Sequence, residues 1–266
     1  MYVPRFRVKR SGVPILSKKE IDAIAHKYVR DFQPQALTDP QPLMLEEFIE
    51  CYLHMTPDYQ YLSNNGIYLG MTVFNDTDRV IVYCPETNTA EYIHADAHTV
   101  IIDRRLIEDE KQEHRYRYTL GHEGGHEVFH AQAFCVNPDQ LSLLEPVQTP
   151  VIQCRVDSSK TRRVDPTKWG DRDWMEWQAN VFASALLMPS DAVEIIYNSS
   201  NQTTRIARNY AAINSMVDVF NVSTEAATYR LKDLGYIREG DHTDYARTAP
   251  FLDTLDIIGL DVGIGY

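Results

Sequence analysis

The segment that most limits how this 266-residue chain can fold is residues 119–130, Thr-Leu-Gly-His-Glu-Gly-Gly-His-Glu-Val-Phe-His. Its histidines recur every four residues, which puts them on adjacent turns of one helix face, about 5–6 Å apart at Cβ. The surrounding pattern predicts a helix from about Lys111 to Phe134. Within it, His122-Glu123-Gly124-Gly125-His126 is an HExxH motif. Two imidazoles one turn apart can chelate one Zn²⁺, with Zn–N near 2.0–2.1 Å. Glu123, directly after the first histidine, is placed to take a proton from a water at the metal. Two glycines inside a helix cost about 1 kcal/mol each relative to alanine. They make sense where another backbone or a substrate must come close.

The same run contains a second, overlapping motif, His126-Glu127-Val128-Phe129-His130. His122 and His130 stand about 12 Å apart along a helix, so the three histidines cannot share one ion. Helices of this kind usually carry uncharged residues around the motif and a hydrophobic residue two places after its second histidine. The first register has Leu120 before it and Val128 in that slot, with Glu127 as its one departure. The second has Glu123 upstream and Gln132 in the slot. The first register is preferred, and His130 then becomes a packing residue or a support behind the ligands.

A catalytic zinc usually has three protein ligands and one open position. The predicted helix from about Asp173 to Met188 offers the third. Trp174, Trp177, Val181, Ala185 and Met188 form its bulky stripe, while Glu176, Ala179 and Ala183 lie on a small face. That face could pack against Gly124-Gly125 and bring Glu176 to the histidines. The competing readings are a solvated acid favoured by the positive end of a helix, or Cys135 or Cys154 as ligand in place of Glu176.

Organisation along the chain follows from simpler signals. Ser17-Lys18-Lys19-Glu20 reads as a capping box, opening a helix that buries Ile21, Ile24, Ala25 and Tyr28. A second helix is expected from Leu43 to about His54. Ile67 to Phe74 and Val80 to Tyr83 read as a hairpin, and Thr99 to Asp103 as a third strand. Residues 135–172 are polar and proline-bearing, without a period. Further helices are expected at 189–198, 204–220 and 224–235. The result is an α+β fold, mainly helical, with a small antiparallel three-stranded sheet and a C-terminal helix-turn-helix-like pair. The expected divisions are a basic arm at 1–16, a main domain at 17–200 containing the long 132–172 connection, a helical module at 201–240 and a tail at 241–266.

Charge narrows the function classes. The net charge of −12 disfavours nonspecific nucleic-acid binding. The eight basic residues of positions 1–30 (Arg5, Arg7, Lys9, Arg10, Lys18, Lys19, Lys27 and Arg30) read as a solvated arm and helix face. No apolar run has the roughly 18–20 residues of a membrane helix, and the N-terminus lacks the apolar stretch of a secretory signal. A cytoplasmic protein is expected, with Cys51, Cys84, Cys135 and Cys154 as free thiols.

The runs Thr99–Asp103, Tyr118–His126 and Glu176–Pro189, together with Val222-Ser223 through Arg230-Leu231, resemble the ImmA/IrrE family of bacterial metallo-endopeptidases. The resemblance spans roughly residues 14–235. It implies a zincin-like site with His122, His126 and Glu176 as ligands of one zinc per chain and Glu123 as catalytic base. It also implies a protein substrate, typically a repressor-type transcription regulator of a mobile element or stress response. The glycine pair departs from the family pattern, in which a larger apolar residue commonly precedes the second position. An extended substrate is expected to pair with a sheet edge near 98–103.

Two other classes remain open from the residues. One is a metal-binding regulator that holds a partner without hydrolysis, although such a scaffold has no need of Glu123. The other is a DNA-binding regulator using residues 206–235, where Ser223 is a good N-cap. There Arg230 and Lys232 are offset by Glu225 and Asp233, against the net basic face a recognition helix needs.

Overall fold

A computed structural model describes residues 2–134, 168–238 and 241, and the backbone of 151–155. The tail, most of the 132–172 connection, Cys135 and the thiol of Cys154 therefore lie outside the described residues. Cys51 and Cys84 are free thiols.

Helix α1 (Lys18–Phe32) starts where expected. The Ser17 hydroxyl accepts from the Glu20 amide at 3.3 Å, and Glu20 Oε2 accepts from the Ser17 amide at 2.7 Å. It buries Ile21, Ile24, Ala25, Tyr28 and Val29, a continuous helical stripe. The expected 43–54 helix is shorter and irregular. Helix α2 (Leu45–Glu47) runs into a π turn over Phe48–Tyr52. His54 then takes a left-handed φ of 58° as the chain enters strand β1 (Thr56–Gln60).

The main sheet has the order β1-β5-β2-β6, with β2 at Tyr68–Val73, β5 at Thr99–Asp103 and β6 at Val151–Arg155. β1 runs parallel to β5, while β2 is antiparallel to both β5 and β6. This corrects the expected three-stranded antiparallel sheet. The sheet is mixed, and the run at 67–74 does not pair with the one at 80–83. Strand β3 (Thr77–Cys84) instead pairs with β4 (Thr89–Ala95) as a separate two-stranded unit. The α+β class itself holds. β5 is also no edge. Strands cover both its sides, and all five of its residues are buried, as a continuous apolar strand requires. A substrate strand therefore has no place to pair at 98–103.

Alternation along β2 divides the molecule into two layers. Met71 and Val73 join Leu62, Val80, Val82, Ala95 and Ile101 in a small core between the sheet and the β3–β4 hairpin. Gly70 and Thr72 face the other way, onto helix α4 (Glu113–Phe134). A short helix α3 (Arg105–Glu108) precedes α4. Helix α4 lies between the sheet and helix α5 (Asp171–Leu187). Every residue from Thr119 to His126 is buried, so this stretch of the helix is enclosed on all sides although Thr119, His122, Glu123 and His126 are polar or ionisable.

Helices α6 (Ser190–Ser199), α7 (Arg205–Phe220) and α8 (Thr224–Asp233) complete the described chain. Thr204 caps α7, Asn221 ends it in a left-handed conformation, and Ser223 caps α8. Arg230, one of the two cations a recognition helix would need, is buried. Its Nε donates to the Met188 carbonyl at 2.8 Å, and its Nη2 lies 2.5 Å from Asp22. Among the described residues, no single helix is long and apolar enough to cross a membrane.

The N-terminal arm is less detached than its charge suggested. Arg5, Arg7 and Arg10 are exposed, but Val13 and Pro14 are buried. Val8 and Pro14 bridge as a small antiparallel turn, and Phe6 stands edge-on to Phe129 with ring centroids 5.8 Å apart. At Gly12, where φ is +86°, an added Cβ would come within 2.9 Å of Ala133. The arm thus lies along the C-terminal half of α4, beside the three histidines.

Candidate metal centre

Two helices meet at the centre because their contact faces are small. An ideal Cβ on Gly125 would lie 3.0 Å from the Ala179 Cα, and one on Gly121 would lie 3.6 Å from the Ala183 Cβ. The small face expected on α5 therefore packs as anticipated, but against Gly121 and Gly125. Gly124 turns toward Ile49 of the π turn and Leu53 just after it.

This close packing gathers His122, His126 and Glu176. One ligand atom from each lies within 4.8 Å of the others. The two histidine Nε2 atoms are 3.0 Å apart. Glu176 Oε2 is 3.3 Å from His122 Nε2, and Glu176 Oε1 is 3.8 Å from His126 Nε2. Glu176 Oε1 is buried without a hydrogen-bond partner. A carboxylate set against two imidazole nitrogens with one oxygen orphaned is what a cation would satisfy. The histidine side chains are 2% and 0% exposed and that of Glu176 is 25%, so the centre reaches solvent on the Glu176 side.

His130 does not join this group. Its Nδ1 is 2.9 Å from His126 Nδ1, and its Nε2 is 2.9 Å from Gln178 Oε1. Glu127, the glutamate of the overlapping motif, faces away, with Oε1 2.7 Å from His98 Nδ1. Burial pushes His130 down to about 4 and His126 well below the ordinary histidine value, so both are neutral at physiological pH, the form that ligates metals.

Glu123 sits under strand β2. Thr72 Oγ1 donates to its Oε2 at 2.6 Å, and Oε1 is buried without a partner. Burial pushes the carboxyl up to about 7, against the lowering influence of His122 and of the Thr72 hydrogen bond. A group near that value can both take and return a proton at neutral pH. Space for it exists because position 70 is glycine. An added Cβ there would lie 2.5 Å from Glu123 Oε1 and 2.8 Å from Thr119 Cγ2. Gly70→Ala is therefore expected to displace the Glu123 carboxylate while leaving His122, His126 and Glu176 in place. Turnover should fall by about 100-fold, as for a misplacement of about 1 Å, with metal content unchanged. Parallel activity and metal measurements check this.

Four supporting residues escaped sequence reasoning. Asn180 Oδ1 lies 3.0 Å from His122 Nδ1, and Asn180 was findable as the residue one turn after Glu176 on the same face. Gln178 contacts His130. Thr72 and Gly70 come from a strand 50 residues upstream, and nothing local marks them.

An HExxH helix joined by a glutamate from a second helix, with a buried carboxylate beside the histidines, is the arrangement of a metallopeptidase. Residues 155–232 match the family described as the IrrE N-terminal-like domain, which supports an ImmA/IrrE-family metallopeptidase acting on a protein substrate. The match takes in Glu176, Gln178 and Asn180 and stops short of the HExxH helix, which rests on its own motif and geometry. No curated protein matches the chain significantly.

Proposed function

We propose that the chain is a zinc-dependent endopeptidase of the cytoplasm that hydrolyses a bond in a repressor-type transcription regulator of a mobile element or stress response. The observation that carries the peptidase reading is the convergence of His122, His126 and Glu176 beside an intact, buried Glu123. His122, His126 and Glu176 would hold one zinc, which when bound supplies a Lewis acid for a peptide carbonyl and for water. Glu123 takes the proton from the attacking water at its unpartnered Oε1 and returns it to the departing amine. Thr72 holds the other carboxylate oxygen, so the proton-accepting oxygen stays fixed. Asn180 accepts from His122 Nδ1 and leaves the opposite ring nitrogen to the metal. The repressor substrate rests on the family resemblance.

Metal per chain, measured by mass spectrometry on wild type, His122→Ala and Glu176→Ala, tests this reading. About one zinc is expected in wild type and almost none in either variant. Full metal in His122→Ala would move the site to His126 and His130 or to a cysteine. No metal in wild type after zinc is added back would overturn the peptidase.

A further inference from the structure

His126 is held from its far side by a chain of groups that ends in the N-terminal arm. Its Nδ1 lies 2.9 Å from His130 Nδ1, and His130 Nε2 lies 2.9 Å from Gln178 Oε1. Gln178 Nε2 donates to the Pro14 carbonyl at 2.8 Å. His126, His130, Gln178 and Pro14 are all buried, so water does not compete for these bonds.

Two ring nitrogens this close share one hydrogen, and the far end of the chain decides which ring carries it. The Pro14 carbonyl can only accept. The Gln178 amide must therefore turn its NH₂ toward Pro14 and its oxygen toward His130, since the reverse would set two acceptor oxygens 2.8 Å apart. That oxygen also only accepts, so the proton of His130 sits on Nε2. A neutral His130 then offers a lone pair at Nδ1, and the shared hydrogen belongs to His126 Nδ1. His126 is left with its lone pair on Nε2, the atom that faces His122 and Glu176.

We propose that His130, Gln178 and the Pro14 carbonyl form a positioning relay that locks the tautomer of His126 and aims its Nε2 at the metal. The N-terminal hairpin is thereby part of the centre, and the second HExxH motif supplies support for the first. The inference rests on the metal reading above. His122 Nδ1 is met by the exposed Asn180, whereas His126 is fixed by a buried series tied to backbone.

The test is zinc affinity, measured by competition with a chromogenic chelator, on wild type, His130→Phe, His130→Asn and Gln178→Met. Phenylalanine keeps a ring but offers no acceptor, so His130→Phe is expected to bind zinc about 10–100-fold more weakly. Asparagine is smaller, but its Oδ1 takes the place of Nδ1, so His130→Asn should recover most of the loss. Gln178→Met frees the polarity of His130 and should weaken binding in the same direction. Simple packing predicts the reverse order, with phenylalanine tolerated and asparagine harmful. Wild-type affinity in both His130→Phe and Gln178→Met overturns the relay, as does asparagine weaker than phenylalanine. Thermal melts of the metal-free proteins separate a folding defect from an affinity defect; if His130→Phe does not fold, Gln178→Met decides. Failure of wild type itself to bind zinc would overturn the metal reading instead.

Discussion

Glu123→Gln is expected to abolish hydrolysis, by a factor on the order of 10³ or more for loss of a positioned general base, while zinc content stays that of wild type. It should also make the metal-free protein more stable, and only at neutral to alkaline pH. Burial holds the Glu123 carboxyl at about 7 in the folded chain, against an ordinary value of 4.5. Below the ordinary value the group is protonated in both states and costs nothing. As pH rises toward 7 the unfolded chain sheds a proton that the folded chain still binds, so stability falls. Above 7 the folded chain carries a buried charge with one unpartnered oxygen, at a cost on the order of 3 kcal/mol. Glutamine never ionises, and its carbonyl can still accept from Thr72. The melting temperatures of variant and wild type, compared in chelator, should therefore coincide near pH 4.5 and diverge by pH 8 in favour of the variant. Taking the difference between the two proteins removes the titration of His126 and His130, which both share. Normal cleavage by the variant would end the general-base assignment, and equal melting at pH 8 would mean the folded carboxylate is solvated.

What could be read from the sequence was whatever a short stretch of helix determines by itself. The capping box at Ser17, the cap at Ser223, and the helices at 171–187 and 205–220 all follow from local periodicity and end chemistry. The grouping of His122, His126 and Glu176 belongs to the same category. His122 and His126 are one turn apart on one helix, and Glu176 stands out as the carboxylate on a small-residue face.

The sheet was harder because its signals are tertiary. β1 contains Pro57 and Asp58, which argue against a strand, yet it pairs in register from Thr56↔Thr99 to Gln60↔Asp103. β4 is exposed through most of its length and so shows no alternation against a core. The Asn75-to-Asp78 link reads as a hairpin turn but carries the chain to the second layer. The glycines show the same limit at finer scale. A close helix contact was legible, but Gly124 was assigned to it in place of Gly121. Residues four apart share a face, so Gly121 and Gly125 meet Ala183 and Ala179, and Gly124 lies about a third of a turn away.

That face yields the other large expected effect. At Gly125 an added Cβ meets backbone, 3.0 Å from the Ala179 Cα and 3.2 Å from the Ala179 carbonyl oxygen, with Phe182 Cδ1 also at 3.2 Å. Backbone cannot rotate aside, so Gly125→Val has to move α5 away from α4. Overpacking of this kind costs roughly 1–3 kcal/mol, a fall of several degrees in melting temperature. The larger consequence is at the centre, because Glu176 lies less than one turn before Ala179 on the helix being moved. Its oxygens stand 3.3 and 3.8 Å from the histidine nitrogens, and a shift of about 1 Å takes the third ligand out of reach, with a drop in zinc affinity of at least about 100-fold. Gly121→Ala is the control. One turn earlier, the added Cβ would sit 3.6 Å from the Ala183 Cβ, an ordinary contact, and alanine should stabilise the helix by about 1 kcal/mol. The two substitutions are on one face of one helix, one turn apart, and should change stability in opposite directions. If Gly125→Val keeps wild-type zinc affinity, the close helix contact is not what holds Glu176 at the histidines.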